Sequence, residues 1–169
     1  MNNFVVDANV IGYFQQERLH GEGKFHAAME AVQSKGVIAL DDAGHCKQEW
    51  LDCAAGAYPL ALADWISDKL VEQKIVLFQF CDENLHQQLT KLGIPKDDHK
   101  WIRLAIGAPA VCIFSEDIDL FSPQRKNSSK KERDKIKSNC GGPVPKYMKR
   151  KHGISVICEE RVSDFCDGL

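Results

Sequence analysis

Five short apolar runs punctuate the chain, at Phe4–Val6, Val37–Leu40, Ile75–Phe80, Val111–Phe114 and Ile154–Cys158. None alternates apolar with polar residues, so each reads as a strand buried on both faces, which is the pattern of a parallel sheet covered by helices. Between the runs lie segments rich in helix formers. Gly23–Ser34 closes at Lys35-Gly36, Asp42–Gly56 and Leu60–Glu72 are broken at Tyr58-Pro59, and Asp82–Leu92 stops at Gly93. Asp97–Gly107 follows Pro95 and carries acids in its first turn, where the helix dipole favours them. The alternation predicts an α/β fold, a three-layer α/β/α sandwich around a mostly parallel twisted sheet of about five strands.

From Phe121 to His152 this rhythm fails. The segment holds turn formers, a short basic helix over Ser129–Ile136 and the breaker cluster Cys140-Gly-Gly-Pro-Val-Pro145. It reads as an exposed, partly mobile basic insertion, at about 122–152, placed before the last strand of a single domain spanning 1–169.

Composition changes the picture little and charge changes it more. The 169 residues and 44% hydrophobic content suffice for one domain with its own core. The apolar stretches fall well short of the roughly 20 residues of a membrane helix, so no membrane association is expected. The first apolar segment meets an acid at position seven, unlike a signal peptide, and a cytoplasmic location is the default expectation. Seven cysteines without a CxxC pair point to reduced thiols, and the spacing of His45, Cys46, Cys140 and His152 does not support a zinc site. Net charge is −2, yet residues 125–151 carry eleven of the 22 Lys and Arg against two acids, a local +9 that leaves −11 on the rest. Concentrated acid on the body beside a basic segment suggests a cation site next to a polyanion-binding surface.

Open parallel sheets bind ligands beyond the carboxyl ends of their strands, so the informative acids are those that can reach that edge. Asp7 directly follows FVV; Asp117 and Asp119 follow VCIFSE; Asp97 and Asp98 open a helix; Glu49 lies about two turns into the helix after the second strand. Carboxylates meeting there would repel one another unless a cation shared the charge. Mg²⁺, a hard ion wanting oxygen ligands, suits that role. Two such ions about 3.5–4 Å apart can activate water and stabilise the leaving oxygen of a phosphodiester.

At this point the chain resembles the PIN-domain nucleases, through FVVDANVIGYF, HCKQEWLDCA, PKDDHKWIRLAIGA and VCIFSEDIDLF in that order, followed by the last strand HGISVIC. The resemblance implies that Asp7, Glu49, Asp98 and Asp117 are the four catalytic, metal-binding acids, with Asn9 helping to hold the first. Ser115 takes the place of the family's strand-end hydroxyl, Asp119 is an auxiliary acid, and Asp97, one residue out of frame, is a helix cap. It further implies cleavage of single-stranded RNA with Mg²⁺ or Mn²⁺, with Glu49 orienting or deprotonating water and products ending in 5′-phosphate and 3′-hydroxyl. In the basic segment, Lys146, Lys149, Arg150 and Lys151 would neutralise phosphates while Tyr147 stacks on a base. A toxin-like or defence-associated role, an antitoxin-like inhibitor or other protein partner, and a homodimer belong to the same expectation. Two other classes stay open: a non-catalytic PIN-like module binding RNA or protein, and a structure-selective DNA nuclease.

Overall fold

The computed structural model describes residues 1–54 and 59–169. Its five strands are β1 (Asn2–Val6), β2 (Gly36–Asp41), β3 (Ile75–Phe78), β4 (Cys112–Phe114) and β5 (Ser155–Ile157). They form one sheet in the order β3-β2-β1-β4-β5, and every pairing is parallel. The expected α/β/α sandwich is thus present, with a sheet that is wholly rather than mostly parallel.

The helices are α1 (Ala8–His20), α2 (Lys24–Lys35), α3 (His45–Cys53), α4 (Pro59–Val71), α5 (His86–Lys91), α6 (His99–Gly107), α7 (Lys130–Ser138), α8 (Pro143–His152) and α9 (Glu159–Asp167). The break expected at Tyr58-Pro59, and the predicted helix end at Gly56, lie outside the described residues apart from the start of α4. The sheet is filled outward from β1 in both directions. The connections from β1 to β2 and from β2 to β3 run one way, while those from β3 to β4 and from β4 to β5 run the other. With right-handed crossovers, the helices of the two sets fall on opposite faces. Contacts agree: α1 packs on α2 and α3, α2 on α9, and α6 on β1, β2 and β4.

The strand residues are apolar on both faces because both faces are covered. Phe4, Val5, Val6, Ile38, Ala39, Leu40, Ile113 and Phe114 are buried, whereas Leu77 on the edge strand β3 is exposed. Helix periodicity supplies the complement. α1 buries Val10, Ile11 and Phe14, and α6 buries Trp101, Ile102, Leu104 and Ala105. Trp50 of α3 is fully buried and donates its indole N–H to the Val6 carbonyl at 3.0 Å, tying α3 to the carboxyl end of β1.

The basic segment departs from expectation. Instead of an open insertion it is the crossover between β4 and β5, folded as α7 and α8. The short helix predicted over Ser129–Ile136 is α7, opened by a Ser129–Glu132 capping box. The breaker cluster is the start of α8. Pro143 and Pro145 sit in its first turn, where a missing N–H costs nothing. Gly142, at φ 102°, lies so close to the Phe121 carbonyl that a Cβ would fall 2.2 Å from it. Val144, Pro145 and Met148 then pack into the core. Helix α5 is shorter than predicted, because the chain from Asp82 to Leu85 is not helical. The helix α9 carries no expectation from the sequence; it covers the sheet through Val162 and Cys166.

All seven cysteines are free, and four of them are buried. Burial pushes the Cys112 thiol up and the Cys158 thiol to about 11, as suits core residues rather than nucleophiles.

If α8 belongs to the core, Met148→Ala lowers unfolding free energy by about 2–4 kcal/mol. Lys131→Ala on exposed α7 changes it by no more than about 0.5 kcal/mol. Urea denaturation of the two variants checks both values, and wild-type stability in Met148→Ala would return α8 to the status of an appendage.

Candidate metal centre

The ladder between β1 and β4 pairs Val6 with Phe114, and the Asp7 amide extends it by donating to the Phe114 carbonyl at 2.9 Å. Asp7 and Ser115 therefore leave the sheet side by side at its carboxyl edge. Asp7 caps α1, its Oδ1 accepting from the Ala8 amide at 2.7 Å, while its Oδ2 accepts from the Ser115 hydroxyl at 2.6 Å. Ser115 Oγ in turn accepts the Asp117 amide at 3.0 Å, and Asp117 Oδ1 accepts the Asp119 amide at 2.9 Å. One chain of hydrogen bonds thus fixes the loop that follows β4. Asn9 fastens it from α1 by accepting the Glu116 amide at 3.2 Å.

Asp98 comes from a different direction. It ends a 3-10 turn, Lys96–Asp98, and occupies the N-cap position of α6 without making a side-chain cap. Its carboxylate joins those of Asp117 and Asp119 instead. One oxygen from each of the three lies within 4.8 Å of the others. Asp97, expected to be the cap, lies exposed within the 3-10 turn and lines a neighbouring cleft. Asp98 rather than Asp97 thus stands in the cluster, and Asp119, expected only as an auxiliary, stands there beside it.

Asp7 and Glu49 flank the three rather than join them. Burial pushes the Asp7 carboxyl up to about 7, with the neighbouring charges of Asp117 and Asp98 adding to the shift and the Ser115 and Ala8 hydrogen bonds opposing it. Asp98 rises to about 6, again first through burial and then through Asp117, Asp119 and Glu49, with Lys100 opposing. Glu49 is ion-paired with Lys100, so its carboxylate sits beside Asp98 with a cation of its own. Asp119 is buried and holds the exposed Lys126 ammonium at 2.9 Å.

Three residues that sequence reasoning passed over thus shape the edge. Lys100 and Lys126 offset two of the acids. Asp41, buried at the end of β2, caps α3 by accepting the His45 and Cys46 amides, both at 2.8 Å, and so sets the helix that carries Glu49. A strand-end Asp four residues before a helix was a readable signal for Asp41. Nothing in the sequence pairs Lys126 with Asp119.

The proposed phosphate-binding residues lie elsewhere. Lys149, Arg150 and Lys151 occupy the last turn of α8, which hands the chain to the start of β5. They therefore sit at the opposite end of the sheet from the carboxylates. Lys146 and Lys149 line a separate cavity of about 430 Å³ between α8, β5 and α9. Tyr147 donates its hydroxyl to Gln88 of α5 at 2.6 Å and meets His152 edge-on, so its ring is part of the fold.

An all-carboxylate donor set is hard and anionic. It fits Mg²⁺, Mn²⁺ or Ca²⁺ and not the thiolate-seeking metals. Asp98, Asp117 and Asp119, with one oxygen of each within 4.8 Å of the others, could hold a metal ion. No protein-family model, no curated protein and no solved structure matches the chain.

The raised carboxyls make stability pH-dependent with a definite sign. In metal-free buffer the folded chain binds more protons than the unfolded one between the ordinary Asp value of 3.8 and about 7. Stability therefore falls as pH rises across that window. Urea titrations at pH 5 and pH 8 with EDTA should show the fall. Asp7→Asn should remove much of it, with a gain of about 1–3 kcal/mol at pH 8 and little change at pH 4. A wild-type stability that rises from pH 5 to pH 8 would contradict the burial assigned to these groups.

Proposed function

We propose that the chain is a metal-dependent endoribonuclease of the PIN-like kind, cutting single-stranded RNA by attack of water on the phosphodiester. The observation that carries this reading is the convergence of Asp98, Asp117 and Asp119 beside Asp7 at the carboxyl edge of the parallel sheet. They meet where the connections from β1 and β4 diverge, the crevice in which open α/β sheets bind ligands.

In this reading Asp98, Asp117 and Asp119 hold Mg²⁺ or Mn²⁺, with Asp7 as a buried acid supporting the same charge. When bound, the ion supplies Lewis-acid stabilisation of charge at the scissile phosphate. Asp7 is kept rigid by the Ser115 hydroxyl and the Ala8 amide, so the site is preorganised on the sheet rather than on a free loop. Glu49, beside Asp98, accepts the proton of the attacking water, and Lys100 holds its carboxylate toward the site. In-line displacement then breaks the bond from phosphorus to the 3′-oxygen, which takes a proton from solvent water, leaving a 3′-hydroxyl and a 5′-phosphate. The reading places the enzyme in the cytoplasm, and a toxin-like member would take an inhibitor protein as partner.

The test uses labelled single-stranded RNA, single-stranded DNA and flap DNA with Mg²⁺, Mn²⁺ or EDTA. Wild type should cut the RNA, with no cutting in EDTA. Asp98→Asn and Asp117→Asn should each lose about 100-fold or more in rate, the scale of removing one preorganised electrostatic group. Mn²⁺ titration calorimetry should show binding to wild type and weakened binding to both variants. Cutting in EDTA, undiminished variants, or a preference for flap DNA would overturn the proposal.

A further inference from the structure

A cleft of about 730 Å³ opens beside the carboxylates, between α3 and the start of α6. Glu49 and Lys100 form its inner wall, so it shares a boundary with the candidate metal centre. Its outer part is built on the stretch after β3. There Phe80, half-buried, carries the Arg103 guanidinium 5.3 Å from its ring centroid and the exposed His45 ring at 6.2 Å, inclined by 23°. Both rings line the cleft.

Packing accounts for part of this arrangement. Arg103 donates to the Cys81 carbonyl at 3.1 Å and holds the stretch after β3 against α6, which fixes Phe80 in place. It does not account for His45. That residue is exposed, opens α3, and needs only its backbone N–H for the Asp41 cap. Two near-parallel rings and a guanidinium at the mouth of a cleft are the surfaces on which unstacked bases settle. Cations flank them, with Lys96 at one side and Lys100 at the inner wall. Gln48 and Asp52, hydrogen-bonded to each other at 2.8 Å, offer donor and acceptor groups along the α3 side.

We infer that this cleft is a nucleobase subsite, in which one unstacked base of a single-stranded nucleic acid stacks on Phe80 and His45 next to the carboxylate cluster. The nuclease reading supplies the identity of the ligand, and on that point the inference rests on it. The subsite places the substrate on the α3–α6 side of the sheet edge, away from the α8 lysines. It gives the enzyme a grip on one nucleotide adjoining the scissile phosphate. Arg103 acts as a positioning residue, since it orients Phe80 and tethers its loop.

Binding is measured apart from cleavage, by fluorescence anisotropy of a labelled single-stranded RNA of about ten nucleotides in EDTA. Phe80→Leu keeps apolar bulk and removes the π-face; affinity should drop about 5- to 100-fold. Phe80→Trp should retain wild-type affinity, and His45→Ala, which removes an exposed side chain, should weaken binding several-fold. An oligonucleotide with an abasic position at the bound nucleotide should lose affinity for wild type and lose little more on Phe80→Leu. Similar losses on single-stranded DNA would place recognition on the base, as the inference requires. Wild-type affinity in both Phe80→Leu and His45→Ala, or a larger loss in a Lys149→Ala, Lys151→Ala double variant, overturns the subsite. The two readings fail separately. Phe80-dependent binding without any metal-dependent cleavage overturns the nuclease proposal and keeps the subsite; cleavage with Phe80-independent binding does the reverse.

Discussion

The register of β1 on β4 is the constraint from which the rest of the candidate site follows. Val6 pairs with Phe114, so the next residues, Asp7 and Ser115, leave the sheet level with one another and bond at 2.6 Å. Side chains alternate along a strand, so a slip of one residue would turn this pair to opposite faces. From Ser115 the order passes by hydrogen bonds to Asp117 and then Asp119. The register is itself held by burial, since Phe4, Val5, Val6, Ile113 and Phe114 all lie in the core. Apolar packing in the middle of the sheet thus sets carboxylate positions at its edge.

Once brought together, the carboxylates must be offset, and the fold does so incompletely. Lys126 reaches Asp119 and Lys100 reaches Glu49, but Lys126 is largely exposed and such pairs are worth little in water. Asp7 and Asp98 instead respond by holding protons more tightly, each chiefly through burial. Among the described residues the buried acids Asp7 and Asp119 have no fully buried cation to match them, a poor solution for stability alone. It is a sensible one for a site whose compensating charge comes from solution.

What was legible in the sequence follows from what is local. Strands buried on both faces read as unbroken apolar runs, and all five predicted strands match within two residues at each end, β3 stopping at Phe78 rather than Phe80. Asp7 and Asp117 were findable because acids at, or within three residues of, the end of an apolar run sit at the strand's carboxyl edge. Asp98 required more, since both it and Asp97 open a helix and only the frame of the resemblance tells them apart in the sequence. Helix α8 was hidden because Pro143-Val-Pro145 reads as a breaker, although proline in a first turn is harmless. The full membership of Asp119 and its pairing with Lys126 depend on how the loop after β4 folds back, which no spacing rule encodes.

The charge asymmetry shows most clearly how topology redirects a compositional signal. A local +9 suggested one polyanion-binding surface, but the segment is a crossover, and a crossover must travel from the carboxyl end of one strand to the amino end of the next. Its cations are therefore distributed along the height of the sheet. Lys126, near its start, and Lys137, midway along it, reach Asp119 and Glu116 at the carboxyl edge. Lys149, Arg150 and Lys151, near its end, lie at the amino edge. Proximity along the chain grouped these residues, and the sheet separates them by its full depth. On the other side of the acids, along α3 and α6, Lys96, Lys100 and Arg103 add cations from outside the basic segment.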